Sequence, residues 1–230
     1  VRAGQALPQG EEKVRAVRTM FDAIAPRYDL VNRLMTFRLD VRWRRLAVES
    51  LALPRGALVA DLASGTGDLC VELVKAGHRP LSFDFSFGML TADRSGAARC
   101  QADILRLPLA AGVLDGATCG FALRNLVDLG SFFDELARVV RPCGRIALLD
   151  VATPPNPILR WGHNIYFGRV VPRIGALLSD GAAYRYLPQS VAYLPAPAEM
   201  LERLGAAGYR DARRRLLSGG ITQIITATRS

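Results

Sequence analysis

The stretch Ala57-Leu58-Val59-Ala60-Asp61-Leu62-Ala63-Ser64-Gly65-Thr66-Gly67-Asp68 decides the fold. Its first half, Ala57–Leu62, is a short apolar run and predicts a buried strand. Its second half carries two glycines one residue apart. They let the backbone turn tightly and admit a ligand close to the main chain. Leu69–Ala76 continues at helical spacing. A strand, a glycine loop and a helix in this order place a ligand at the carboxyl end of a parallel sheet.

Downstream of this unit the alternation continues. Leu81–Asp84 predicts a second strand and Phe87–Arg94 a helix. Arg99–Ala102 predicts a third strand and Gly116–Phe121 a fourth, with a helix at Leu129–Val140. Gly144–Val151, apolar almost throughout, predicts a fifth. This order implies a mostly parallel sheet covered on both faces. Later come a helix at Pro197–Ala207 and two strands near Tyr209–Leu217 and Ile221–Thr228. Ser218-Gly219-Gly220 between them reads as a hairpin turn, so the last strand is expected to run antiparallel to its neighbours.

Upstream, residues 11–52 read as helices. Val14, Val17, Phe21 and Ile24 fall at helical spacing, Pro26 breaks the pattern, and Tyr28–Phe37 and Val41–Leu51 resume it. Pro154, Pro155 and Pro157 separate the fifth strand from a helical stretch, 158–195, that holds four of the six tyrosines. The expected organisation is a flexible stretch at residues 1–10 and one domain over 11–230. Within that domain, 11–52 form a helical cap and 154–195 a helical insertion over the acceptor site.

Composition narrows the function. Half of the 230 residues are hydrophobic, enough for a sizeable core. The formal charge is +9, carried by arginine except at Lys13 and Lys75. Such a charge fits a solvated basic surface, a nucleic acid or an anionic membrane. Cys70, Cys100, Cys119 and Cys143 form no Cys-x-x-Cys pair, and His78 and His163 are the only histidines. No metal is expected, and the cysteines read as small buried residues of a reducing cytoplasm. No apolar run is long enough to span a membrane.

The loop fails the dinucleotide fingerprint at its third glycine, where Cys70 stands. What remains, D-x-A-x-G-x-G, resembles the nucleoside-binding loop of class I S-adenosylmethionine-dependent methyltransferases. Asp84 ends the second strand, 23 residues after Asp61, where a carboxylate can accept both ribose hydroxyls. Asp103 follows the third strand, where an acid can accept from the adenine amino group and the Ile104 N–H can donate to the ring. Each acid alone could equally be a helix cap or turn residue. The loop and two acids, each at a strand end and in order, favour the cofactor reading.

Four further segments extend the resemblance. They are Met20-Phe21-Asp22-Ala23-Ile24-Ala25-Pro26-Arg27-Tyr28-Asp29, Asp84-Phe85-Ser86-Phe87-Gly88-Met89-Leu90, Gly120-Phe121-Ala122-Leu123-Arg124-Asn125 and Tyr184-Arg185-Tyr186-Leu187-Pro188-Gln189-Ser190-Val191. In this order they resemble the quinone-biosynthesis C-methyltransferases, which act on demethylmenaquinol and on the matching ubiquinol precursor. The resemblance runs from about residue 14 to about residue 225. It implies a Rossmann-like α/β fold with a seven-stranded, mostly parallel sheet whose last strand is antiparallel. This chain departs from the family pattern at Ala122, where glycine is usual, at Pro142-Cys143-Gly144, usually Pro-Gly-Gly, and at Ile221–Ile224.

The resemblance also implies the chemistry. An electron-rich hydroquinone ring attacks the sulfonium methyl group of S-adenosylmethionine, leaving S-adenosylhomocysteine, and a ring proton is then lost. The cofactor is expected at Asp61, Ala63, Gly65, Thr66, Gly67, Asp84, Phe85, Asp103, Ile104 and Gly120. The catalytic candidates are Arg124, Asn125, Tyr28 and Asp29. Arg124 is a poor base but a good partner for a developing phenolate. As a cleft-lining residue it is expected to tolerate substitution without loss of the fold. The competing reading has it capping a helix or pairing with an acid such as Asp128.

The partners implied are a prenylated quinol and the cytoplasmic face of an anionic membrane. For the membrane, residues 158–195 offer Arg160, Arg169, Arg173 and Arg185 interleaved with Ile165, Phe167, Val170, Val171, Ile174, Leu177 and Leu178. An ordinary cap helix explains the same residues as well. A homodimer is among the assemblies the sequence allows. A nucleic-acid methyltransferase lacks support: no Asn-Pro-Pro-aromatic tetrad follows the fourth strand, and Cys119 lies in an apolar run rather than at an exposed nucleophile position. A cofactor-binding relative without catalysis is disfavoured by the intact loop, Asp84 and Arg124-Asn125.

Overall fold

A computed structural model describes residues 10–178 and 190–230. The flexible N-terminus expected over residues 1–10 lies outside them apart from Gly10, which starts the first helix. Tyr184–Gln189 and Arg185 also lie outside. The described elements are, in order, α1 (Gly10–Ile24), α2 (Tyr28–Met35), α3 (Leu39–Ser50), β1 (Leu58–Leu62), α4 (Asp68–Lys75), β2 (Arg79–Asp84), α5 (Phe87–Ala92), β3 (Ala98–Gln101) and β4 (Leu114–Gly120). They continue as α6 (Leu129–Val139), β5 (Val140–Val151), α7 (Pro157–Ile165), α8 (Val171–Leu178), α9 (Pro197–Ala206), β6 (Tyr209–Leu217) and β7 (Thr222–Arg229).

The strands form one seven-stranded sheet in the order β3-β2-β1-β4-β5-β7-β6. β1 to β5 run parallel, and β7 lies antiparallel between β5 and β6. The chain builds outward from β1 to β3, then crosses back to place β4 beside β1, with Leu62 level with Cys119. Strand order reverses at that point, so a crevice opens at the carboxyl ends of β1 and β4. The loops that leave these two strands, with those after β2 and β3, carry most of the sequence candidates.

Both faces of the sheet are buried. On one face Phe132, Phe133 and Leu136 of α6 and Leu204 of α9 cover Ala60, Leu62 and Leu148. On the other, Trp43 and Ala47 of α3 and Leu51 at its C-cap, spaced at i, i+4, i+8, pack with Leu69 and Leu73 of α4 over Val59 and Leu149. A third cluster joins Val31 and Met35 of α2 to Met89 of α5 and Val171 of α8. The Tyr166 hydroxyl donates to the Met35 carbonyl at 2.7 Å. The segment after β5 therefore docks on the N-terminal helices and roofs the crevice.

Three details differ from the sequence expectation. β5 begins at Val140 because the Pro142-Cys143-Gly144 turn stays in the sheet as an irregularity opposite Leu114 and Gly116. Pro26 does not interrupt the helices with a loop; it lies in a single 3₁₀ turn, Ala25–Arg27. Val171 is 1% exposed, with Ile165, Phe167 and Ile174 half-buried. These residues pack inward, as in a cap helix, and do not form an exposed apolar face.

Candidate active site

Two cavities meet at the β1/β4 crevice. The first, about 590 Å³, is bordered by Ala63 and Gly65 after β1, Asp84 and Phe85 after β2, and Ala102 to Leu105 after β3. Gly120, Ala122, Asn125 and Leu126 after β4 complete its wall, and Val14, Val17 and Phe21 of α1 roof it. The second, about 420 Å³, lies between the N-terminal helices and α7 and is almost wholly apolar: Met20, Ile24, Met35, Trp43, Leu159, Phe167 and Ile221 line it. Its polar lining includes Asn32, Asp40, Arg44, Arg124, His163 and Ser218. Phe21, Tyr28 and Phe121 border both cavities.

The glycine loop is held from below. The Gly65 N–H donates to Asp84 Oδ2 at 2.8 Å, and the Ser86 N–H to Asp84 Oδ1 at 2.8 Å. Each oxygen keeps a lone pair for a hydroxyl in the cavity. Burial pushes the Asp84 carboxyl up to about 6, against the pull of those N–H groups. Gly67 has φ +82°, and a Cβ there would collide with the Asp93 carboxylate. A Cβ on Gly120 would lie 2.8 Å from Leu69 Cδ1. Ala63 and Phe121, both on the cavity wall, hold φ +52° and +60°. Non-glycine residues in that region are rare and concentrate at functional sites.

Most sequence candidates converge here. Ala63, Gly65, Asp84, Phe85, Asp103, Ile104, Gly120 and Asn125 line the larger cavity, Arg124 the apolar one, and Tyr28 both. Asp103 also caps its own turn, accepting from the Leu105 N–H at 2.9 Å. Four candidates do not reach either wall. Asp61 is fully buried beneath the loop, accepting from Thr118 Oγ1 at 2.9 Å and from Cys70 Sγ at 3.6 Å. Burial pushes its carboxyl up to about 7. Thr66 Oγ1 donates to Asp29 Oδ1 at 2.5 Å, so these two residues tie α2 to the loop. Gly67 serves the turn itself.

Arg124 requires a correction. It does not pair with Asp128, which caps α6 by accepting from the Ser131 N–H at 3.0 Å. Its Nη1 donates to Asp150 Oδ1 at 2.5 Å and its Nε to Ser190 Oγ at 3.1 Å. Arg124 is 5% exposed and Asp150 is fully buried. The guanidinium that borders the apolar cavity is thus already half of a buried ion pair. Toward the cavity it therefore offers N–H donors and not an uncompensated charge. The expectation that its loss spares the fold does not survive this geometry.

Sequence reasoning missed Asp150, Arg44 and Arg33. Asp150 ends β5 at the same sheet edge as Asp84, and that position was its signal. Arg44 is buried, pairs with Asp40 at 2.5 Å and Asp68 at 3.3 Å, and lies 5.4 Å from the Phe121 ring. Arg33 joins both acids, so four charges weld α2 and α3 to α4. Tyr28, between the two cavities, is held neutral by burial despite the Arg44 and Arg124 charges nearby. Asp22 accepts from Ser86 Oγ at 2.5 Å and from the Gly88 N–H at 3.0 Å, which latches α1 onto α5. Cys119 is buried, with its thiol pushed up, and is no nucleophile. Among the described residues no group of side chains could hold a metal.

Residues 8–229 match the ubiE/COQ5 methyltransferase family. The chain belongs to that family. It is 41% identical over 222 residues to the ubiquinone/menaquinone biosynthesis C-methyltransferase UbiE of Syntrophotalea carbinolica, covering 93% of this chain and 94% of that protein. It is 42% identical over 216 residues to the demethylmenaquinone methyltransferase of Thermus thermophilus, covering 89% and 97%. Among solved structures, the magnesium protoporphyrin IX methyltransferase of Synechocystis, with bound SAH, aligns at a TM-score of 0.61 and 20% identity over 95% of this chain and all of that one. That likeness establishes the fold. As a member of the family, this methyltransferase carries its loop and its paired cavities where the β1/β4 strand reversal opens the sheet.

Proposed function

We propose that the chain transfers the methyl group of S-adenosylmethionine to a ring carbon of a prenylated hydroquinone, demethylmenaquinol, in menaquinone biosynthesis. The observation that carries this reading is the pair of cavities sharing Phe21, Tyr28 and Phe121. The larger suits a nucleoside: Asp84 for the ribose hydroxyls, Asp103 and the Ile104 N–H for the adenine, with Gly65 and Gly120 on its wall. The smaller suits a flat apolar ring and the start of its tail. When bound, S-adenosylmethionine supplies the electrophilic methyl group.

The chain's residues do the rest. Arg124 donates an N–H to the quinol oxygen as it loses its proton, where the charge is largest and the donor most effective. Asn125, on the same turn, orients the methyl donor's side of the site. Tyr28 forms the shared wall and hydrogen-bonds the Asn32 side chain. Asp29 acts through Thr66 on the loop. Asp61, Thr66 and Gly67 shape the loop from below. Apolar walls keep water from the reacting ring.

The substrate's tail implies a membrane. Phe37, Ile158 and Leu159 are 76%, 78% and 50% exposed and border the apolar cavity, with exposed Trp161 beside them on α7. We read this as the face that meets the cytoplasmic side of an anionic bilayer. Among the described residues no helix is long and apolar enough to cross a membrane.

The test is methyl transfer from labelled S-adenosylmethionine to demethylmenaquinol, to the matching ubiquinol precursor and to total RNA. Label is expected in the menaquinone product, from the reduced quinol only. Equal turnover of the oxidised quinone, or label in RNA, would overturn the reading.

A further inference from the structure

Of the 30 lysines and arginines, only Lys13 and Lys75 are lysine. Lys75 is an ordinary surface residue, 64% exposed and paired with Glu72. Lys13 is 3% exposed. Its Nζ donates to the Arg124 carbonyl at 3.1 Å and the Leu126 carbonyl at 2.9 Å, and stands 3.6 Å from the centre of the Tyr193 ring. An ammonium is compact and has three donors that converge from one atom. A planar guanidinium spreads its donors over a wider, rigid fork and does not reproduce this convergence on one nitrogen. The site explains why lysine persists here in an arginine-rich chain.

The three partners belong to separate parts of the molecule. Lys13 lies on α1, which roofs the nucleoside cavity. Arg124 and Leu126 belong to the turn after β4, whose Asn125 and Leu126 wall that cavity while Arg124 borders the apolar one. Tyr193 lies in the 3₁₀ turn Val191–Tyr193, beside Ser190, which accepts from Arg124 Nε. α1 has an independent anchor at its far end, where Asp22 holds Ser86 and Gly88. Removing Lys13 therefore leaves α1 docked and cuts only its link to the turn.

We propose that Lys13 is a positioning residue that couples closure of α1 over the nucleoside cavity to the placement of the Arg124 turn in the acceptor cavity. A ligand that presses α1 and the turn together orders the residue that meets the substrate oxygen before the substrate arrives. By reciprocity, a bound acceptor tightens the cofactor. Burial pulls the Lys13 ammonium down to about 8, as expected of a cation held mainly by carbonyl dipoles and a ring face. The inference rests on the reading that places the nucleoside under α1.

The test is residue-resolved hydrogen exchange with S-adenosylhomocysteine as probe. The turn offers two reporters, the Asn125 and Leu126 amides, which donate to Ala122 and Leu123 at 2.8 and 3.2 Å. In the native chain the ligand should slow exchange in α1 and at these two amides by about fivefold or more. In Lys13→Met the α1 amides should still be protected and the turn amides should not. Lys13→Arg, which keeps the charge and is the milder change to a folded chain, should behave as Lys13→Met. In both variants affinity for S-adenosylhomocysteine without acceptor should hold, while turnover number falls and the KM for S-adenosylmethionine at saturating acceptor rises. A purely structural role would instead speed exchange everywhere, with and without ligand. Full ligand protection of the turn in either variant overturns the coupling. Absence of α1 protection in the native chain overturns the nucleoside placement, and the coupling with it.

Discussion

At the scale of the residue, two side chains carry sharp consequences. Asp84 accepts two N–H groups and is pushed up to about 6 by burial, with the Asp22 charge acting in the same direction. Its folded value lies above its unfolded one, so its ionisation costs stability, fully above pH 6 and vanishingly as pH falls toward 3.8. The proposed ribose contact has the opposite preference, because only a carboxylate could accept from both hydroxyls. S-adenosylmethionine affinity should therefore fall about tenfold between pH 7.5 and pH 5. Calorimetry showing a flat affinity over that range would remove Asp84 from the ribose. Arg124 is the second case. Arg124→Gln should cost about 10²–10³ in turnover. It also strands the buried Asp150 charge, at about 3–5 kcal/mol of stability. Arg124→Gln combined with Asp150→Asn should recover thermal stability without recovering turnover. Normal turnover in that double variant would reduce Arg124 to a structural pair.

At the scale of the element, the turn inside β5 shows how a departure from the family pattern is absorbed. Cys143 stands where glycine is usual and holds φ +62°. A left-handed conformation costs a non-glycine residue roughly 1–2 kcal/mol. Gly144 next to it has no freedom to change, since a Cβ there would lie 2.8 Å from the Arg141 carbonyl oxygen and 2.9 Å from that of Asp115. Cys143→Gly should raise the Tm by about 2 °C, the relief of strain being partly offset by glycine's unfolded-state entropy. Gly144→Ala should lower it. Calorimetric scans with both variants moving the same way would discard the strain argument. The other departure, Ala122, has φ −117° and needs no glycine; the positive φ falls on its neighbour Phe121 instead. The helical character of 11–52 and the hairpin at Ser218–Gly220 were legible because periodicity and turn chemistry are local. The inward face of Val171 was not, because a short amphipathic stretch does not say which of its sides finds a partner.

At the scale of the whole molecule, the apolar cavity and the exposed side chains at its mouth point the same way. Leu34 and Trp161, 48% and 70% exposed, lie near the mouth on α2 and α7 and do not line the cavity. Burying one large apolar side chain is worth about 1.5–3 kcal/mol. Leu34→Asn with Trp161→Asn should weaken co-sedimentation with anionic vesicles about tenfold or more, and should leave turnover of a tail-less quinol in detergent-free buffer unchanged. Unchanged vesicle binding would remove this face from the proposed contact with a bilayer.

The sequence by itself determined the sheet, the loop and the acids at its edge. Strand and helix periods, the spacing of Gly65 and Gly67, and Asp84 at a strand end are properties of short stretches, and each dictates its local structure without help from afar. The direction and pairing of the buried polar groups were decided by the tertiary structure alone. Asp61 and Asp84 both lie near the carboxyl ends of neighbouring strands, yet Asp61 turns beneath the loop to Thr118 and Cys70, while Asp84 faces the cavity. Arg124 meets Asp150, not nearby Asp128, and Lys13 reaches a turn 111 residues away. Such partners are chosen by strand order and by which face of each helix the sheet leaves open. Once a charge is buried it must take the partner that the packing brings to it.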